Sequence, residues 1–133
     1  MSVQLYRYSN DVSLNDWHSN TDGFIKANLL QKETQKPILL FFYTDWCTNC
    51  ESLRENILAT SDVKEFLNNT IPVKINPESG PSENQLSNEF GVMGYPTLIV
   101  ISPSQQTLSL RGVSNISPQQ FILKTKKAIN SLI

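Results

Sequence analysis

Pro37-Ile38-Leu39-Leu40-Phe41-Phe42-Tyr43-Thr44-Asp45-Trp46-Cys47-Thr48-Asn49-Cys50 begins as an apolar run and ends in two cysteines with two residues between them, the only cysteines in the chain. A run this apolar and aromatic, opened by a proline, predicts a strand buried on both faces. Glu51 to Leu58 follows, with Leu53, Ile57 and Leu58 spaced for the inner side of a helix. The cysteines therefore fall where a buried strand turns into a helix. The first turn of a helix leaves backbone N–H groups unpaired and carries the positive end of the dipole. A thiolate placed there is stabilised, so its thiol becomes a better nucleophile near neutral pH. A second thiol one turn on is placed to reach back and close a disulfide.

The rest of the composition is that of an ordinary soluble globular protein. The chain has 133 residues, enough for one domain with a substantial core. Its apolar content is 39% and its formal net charge is -1, which argues against a nucleic-acid partner. No run is long enough for a transmembrane helix. Met1 to Tyr8 lacks the charged-then-apolar pattern of a signal peptide. As it stands the chain reads as cytoplasmic; a removed signal or membrane domain would make it periplasmic. A disulfide closing so short a loop constrains the unfolded chain little, so the spacing points to redox chemistry over a structural staple. Zinc is the other chemistry of Cys-x-x-Cys, but closed sites want four ligands, and here only His18 joins the two cysteines. No metal is expected, and His18 reads as exposed or capping.

Working outward, Val3 to Tyr8 alternates weakly, as an edge strand would. Thr21 or Asp22 is placed to cap a helix through about Thr34, with Phe24, Ala27, Leu29 and Leu30 inward. Pro37 ends it, because the residue before proline is pushed out of helical geometry. Beyond the cysteine helix, Thr60-Ser61-Asp62 caps a short helix with Val63, Phe66 and Leu67 inward. Ile71 to Asn76 is a second strand, parallel to the first if the helices between them act as a crossover. Ser82 with Gln85 resembles a capping box for a helix through Phe90, and Gly91 suits its C-terminal end. Thr97 to Ile101 and Thr107 to Leu110 make a hairpin across a Ser102–Gln105 turn. Ser117 caps a last helix with Pro118 in its first turn and Phe121, Ile122, Thr125, Ala128, Ile129 and Leu132 inward. This order predicts an α/β protein with a mixed central β-sheet flanked by helices on both faces.

Asp45-Trp46-Cys47-x-x-Cys50 after the strand, with Gly94-Tyr95-Pro96-Thr97 later, resembles the thioredoxin-fold proteins. In its Asp-Trp-Cys-x-x-Cys form it is similar to the thioredoxin-like domain at the C-terminus of membrane thiol:disulfide interchange proteins. The resemblance runs from about Ile25 to the C-terminus. It divides the chain into an extension, residues 1–20, and a thioredoxin-like domain, residues 21–133.

The resemblance implies a protein thiol–disulfide oxidoreductase that needs no bound cofactor, because the cysteines carry the electrons. Cys47 is the expected nucleophile and Cys50 the thiol that resolves the mixed disulfide. Trp46 offers a flat apolar contact to the partner. Tyr95 and Pro96, joined by a cis peptide bond in the family, offer a short docking edge for an extended substrate segment. Thr48 and Asn49 lie between the cysteines and Asp45 just before them; these three are expected to set the redox poise. The partners are proteins carrying a disulfide or dithiol and a redox partner protein, and the chain is expected to act as a monomer.

Three departures from the family stand out. A buried aspartate is common six residues before the nucleophile, and Phe41 stands there. A basic residue often follows the second cysteine, and Glu51 stands there. Asp45 adds a negative charge, which opposes thiolate formation but is screened by water. These changes lean the expectation towards reduction. Lys74 reads as an exposed charge at a strand end. Two other readings compete: a thioredoxin-fold peptide-binding or chaperone module with incidental redox activity, and a domain of a larger membrane reductant fed by a neighbour.

Overall fold

The computed structural model describes residues 14–132, so the strand expected at Val3 to Tyr8 lies outside the described residues. The elements are β1 (His18–Ser19), α1 (Asn20–Thr34), β2 (Ile38–Phe42), α2 (Thr48–Leu53), α3 (Ser61–Leu67), β3 (Ile71–Ile75), α4 (Pro81–Glu89), β4 (Thr97–Ile101), β5 (Thr107–Leu110) and α5 (Pro118–Ser131). They form a five-stranded sheet in the order β1-β3-β2-β4-β5. β2 pairs parallel with β3 and antiparallel with β4, and β4 pairs antiparallel with β5. The sheet is therefore mixed, and the cysteine strand lies at its centre.

Every residue of β2 is at most 1% exposed, because the strand is covered on both sides. Leu39 and Phe41 point into one cluster with Leu53, Ile57, Val63, Leu67 and Phe121 from α2, α3 and α5 and the turn between them. Ile38, Leu40 and Phe42 point into the other, with Ala27 of α1 and Leu86 of α4. Alternation along one strand thus feeds two cores, each buried large side chain contributing about 1.5–3 kcal/mol relative to exposure. Leu14 and Trp17, which precede the boundary drawn at residue 21, are buried in the first core.

Several local expectations are corrected. The α1 cap is Ser19, without a side-chain bond, and not Thr21 or Asp22. The Thr21 N–H is satisfied from outside the helix, donating to Glu83 Oε2 of α4 at 3.1 Å. On α1, Ala27 is buried and Phe24 and Leu30 pack partly buried against the second cluster as expected, Gly23 and Gln31 are buried besides, and Leu29, expected inward, is 59% exposed. Glycine is needed at position 23, because a Cβ there would lie 2.8 Å from the His18 carbonyl carbon. The capping box at Ser82 does not form; the cap position is Gly80, two residues earlier, so α4 starts at Pro81, and the Ser82 hydroxyl instead accepts from that of Thr21 at 3.0 Å. Gly80 has no side chain to accept a backbone N–H. Thr60 precedes α3 as expected, but its hydroxyl turns back to the Ile57 carbonyl. At Ser117 a full capping box forms with Gln120. His18 is half-buried in β1, paired with Val73, and Lys74 is half-buried opposite Phe41 in β3.

The cysteine helix also differs from a plain α-helix. After Leu53 it widens into a π segment, Arg54–Leu58, in which the Ala59 N–H reaches back to the Arg54 carbonyl at 2.8 Å. The extra residue in the turn lets Ile57, Leu58 and Ala59 all bury in succession, at 2%, 0% and 3% exposure. A regular α-helix turns about 100° per residue and would carry one of three consecutive side chains outward. Among the described residues no helix is long and apolar enough to cross a membrane.

Candidate active site

The site lies at the end of β2, where Thr44 to Trp46 turn the chain into α2. Cys47 is the N-cap of α2, in an extended conformation. Its Sγ accepts the Cys50 backbone N–H at 3.0 Å. Cys47 and Cys50 form a disulfide with their Cα atoms 5.2 Å apart. Cys47 is 8% exposed and Cys50 1%, so the first sulfur lies nearer the surface and the second faces the core. Both follow from the local fold: the N-cap stands at the rim of the helix, and the residue three on begins its inner face, one turn before Leu53.

Around the pair the surface is apolar on one side and polar on the other. Trp46 is 66% exposed, and its ring meets Tyr95 edge to face, 6.2 Å between centroids. The Tyr95–Pro96 peptide bond is cis. Both residues are half-buried, and Tyr95 packs against both hydrophobic clusters. Asp45, Thr48 and Asn49 are exposed around Cys47. The residues singled out from the sequence thus come from two stretches: 45–50 at the end of the central strand, and 95–96 just before β4. Trp46 against Tyr95 is the contact that joins them.

Three further residues escaped the sequence reading. Glu78 accepts the Trp46 indole N–H on both carboxylate oxygens, at 3.1 and 3.2 Å. Nothing in sequence links positions 46 and 78; only the crossover places the Pro77–Ser79 turn beside the cysteines. Met93, 98% exposed, adds an apolar side chain close before Tyr95 in the chain. Its signal was an unexplained methionine beside Gly94-Tyr95-Pro96. Arg54 lays its guanidinium over the Tyr43 ring, 4.3 Å from the centroid, and 5.8 Å from that of Phe41. Burial pushes the Tyr43 phenol above its ordinary pKa; Arg54 pulls it partly back and Asp45 adds to the rise. The position of Arg54, one turn after Cys50, was the available signal.

A Cys-x-x-Cys at a helix N-cap after the central strand of a mixed sheet, joined to a Tyr-Pro loop through the Trp46–Tyr95 contact, has close counterparts in known proteins. The thioredoxin-like domain family matches residues 26–129. The chain belongs to the thioredoxin-like family. It is 31% identical over 118 residues to the disulfide bond reductase DsbH of Chlamydia pneumoniae, covering 81% of this chain and 71% of that protein. It is 28% identical over 72 residues to the thiol:disulfide interchange protein DsbD of Photorhabdus laumondii, covering 53% of this chain. It spans only 12% of that longer protein. A solved DsbH oxidoreductase superposes with a TM-score of 0.74 at 26% identity, covering 86% of this chain and 83% of the other. The oxidised C-terminal domain of DsbD from Neisseria meningitidis superposes at 0.73 and 22% identity, covering 84% and 98%, a likeness of fold. The fold is the thioredoxin fold, and this thioredoxin-like chain is of the thiol–disulfide oxidoreductase type, its Cys47–Cys50 pair closed as a disulfide.

Proposed function

We propose that the chain reduces disulfides in partner proteins, with Cys47 as the nucleophile and Cys50 as the resolving thiol. The observation that carries this reading is the Cys50 N–H directed at the Cys47 sulfur, 3.0 Å away at the start of a helix. A thiolate at that sulfur receives a backbone hydrogen bond and the helix dipole together. It attacks a sulfur of the partner's disulfide, forms a mixed disulfide and releases a partner thiolate. Cys50 then attacks Cys47, releases the second partner thiolate and leaves the Cys47–Cys50 disulfide. The greater exposure of Cys47 supports this order.

Trp46, Tyr95 and Pro96 take the partner segment, the first through its exposed ring and the others through their backbone edge. Asp45 places a negative charge beside the couple, while Thr48 and Asn49 bring none; this balance leans the poise towards reduction. The chain acts as a monomer and is recharged by a redox partner protein. Reduction of insulin disulfides tests the reading: wild type is active and Cys47→Ala is inactive. The exposed Trp46 and Met93 favour a second reading, a peptide-binding module in which exchange is incidental. Partner binding that survives Cys47→Ser, together with retained cellular function, would support it.

A further inference from the structure

Arg54 sets a cation against two aromatic rings of the cluster that also holds the cysteines. Its guanidinium carbon lies 4.3 Å from the Tyr43 ring centroid and 5.8 Å from that of Phe41. Its Nε is buried without a hydrogen-bond partner. A buried polar atom left unpaired costs free energy, and the ring faces offset only part of it. The Arg54 backbone N–H donates to the Cys50 carbonyl, so the two residues stand one turn apart on the same helix face. Side chains so spaced are neighbours, about 5–6 Å apart at Cβ. Tyr43, Phe41, Cys47 and Cys50 share one packed cluster.

We propose that Arg54 is a positioning residue for the exchange reaction, its charge held on the Tyr43 and Phe41 rings to stabilise the thiolate that forms on Cys50. The inference rests on the exchange reading above. In the mixed disulfide, Cys47 is bonded to a partner sulfur and Cys50 is a thiol. Cys50 gives its proton to water, and the resulting thiolate uses an electron pair to form the Cys50–Cys47 bond. The bond from Cys47 to the partner breaks, and its electron pair leaves on the partner sulfur, which takes a proton from water. Two electrons have then passed from the dithiol to the partner. Phe41 offers no carboxylate to receive the Cys50 proton, and Arg54 favours the same ionisation by stabilising its product. The other charged groups around the pair are Asp45, Glu51 and Glu78, all exposed and screened, and Lys74, half-buried opposite Phe41. Tyr43 stays a neutral phenol near neutral pH.

The test compares Arg54→Lys, Arg54→Gln and Arg54→Met in the full chain, with glutathione as the probe. Two quantities are read: the dithiol–disulfide equilibrium against glutathione, and the pH midpoint for resolution of the glutathione mixed disulfide. At pH values above the Cys50 midpoint, where its thiolate is populated in the reduced protein, Arg54→Gln and Arg54→Met should move the equilibrium together, several-fold and up to about tenfold towards the oxidised protein, tenfold being about 30 mV more reducing. Their pH midpoint should rise by roughly half a unit to one unit. Arg54→Lys, which keeps the charge, should stay within about threefold of wild type. A merely structural role would instead order the variants by packing, shifting melting temperature with the midpoint and equilibrium unmoved. An unmoved midpoint in either folded neutral variant overturns the proposal, and should Arg54→Gln fail to fold, Arg54→Met decides. A wild-type chain with no reversible couple would refute the exchange reading instead.

Discussion

The Trp46 indole N–H is shared by both carboxylate oxygens of Glu78, at 3.1 and 3.2 Å, while the ring meets Tyr95 in a T-shaped contact. Two elements far apart in sequence thus fix the orientation of an exposed ring beside Cys47. Glu78 is itself held, its backbone N–H donating to Asn76 Oδ1 at 2.9 Å. A ring pinned in this way presents one face to a partner at little ordering cost. Glu78→Ala should therefore raise KM for a protein disulfide substrate about three- to tenfold while leaving the glutathione equilibrium unchanged. Steady-state kinetics beside a redox titration checks it; an unchanged KM would mean the ring does not need its anchor.

The order of the cysteines gives a second prediction. Cys50→Ala should accumulate mixed disulfides with partner proteins, because the attack by Cys47 proceeds and its resolution cannot. Cys47→Ala should neither reduce insulin nor trap a partner. Non-reducing electrophoresis of each variant with a disulfide substrate reads this directly. Trapping by Cys47→Ala and not by Cys50→Ala would reverse the assignment.

Position 41 shows how far the sequence could be read. Phe41 is fully buried between Trp17, Tyr43 and Arg54. Phe41→Asp removes a packed ring and buries a carboxylate, and should cost about 3 kcal/mol or more. It should also alter the rate of insulin reduction, since a new proton acceptor then stands near Cys50. Urea denaturation and turnover measured together check both effects; a variant as stable as wild type would contradict the packing account.

The cysteine strand, its two-sided burial and the pairing around it were legible because a run of apolar residues at a chain centre admits few placements. The cysteine pair stood out by its spacing at a strand end, whereas Trp46, Tyr95 and Pro96 were singled out by the resemblance to the thioredoxin-fold proteins; the structure shows Trp46 and Tyr95 in contact. Glu78 and Arg54 were not legible, because what matters about them is which distant ring each one meets. The misplaced caps of α1 and α4 share one cause. Thr21 and Ser82 looked like caps within their own segments, yet the two helix starts face each other, and Glu83 serves Thr21 across the gap.

That cross-helix contact has a pH signature. The Thr21 N–H holds the Glu83 carboxyl below its ordinary pKa. A lowered folded-state pKa gives stability that is present above the unfolded value and lost as pH falls through the folded one. Glu83→Gln should thus lower the urea midpoint at neutral pH, with the difference from wild type shrinking below about pH 4. Urea titrations at about pH 7 and pH 3 check it. A difference that is the same at both would mean that the charge plays no part.

Gly23 offers a purely steric test. A methyl group at this position meets the His18 carbonyl carbon at 2.8 Å, and backbone cannot yield as a side chain would. Gly23→Ala should destabilise by about 1–3 kcal/mol even though alanine favours helices. Thermal melting decides, and a rise in melting temperature would show that β1 gives way to α1.

The central claim is that Cys47 and Cys50 exchange two electrons with thiols outside the chain. Anaerobic titration against ratios of reduced to oxidised dithiothreitol, read by thiol alkylation and mass, measures this most directly. The account predicts one reversible transition in which both cysteines gain or lose the label together. A pair that stays fully labelled, or fully protected, across the whole range would contradict it.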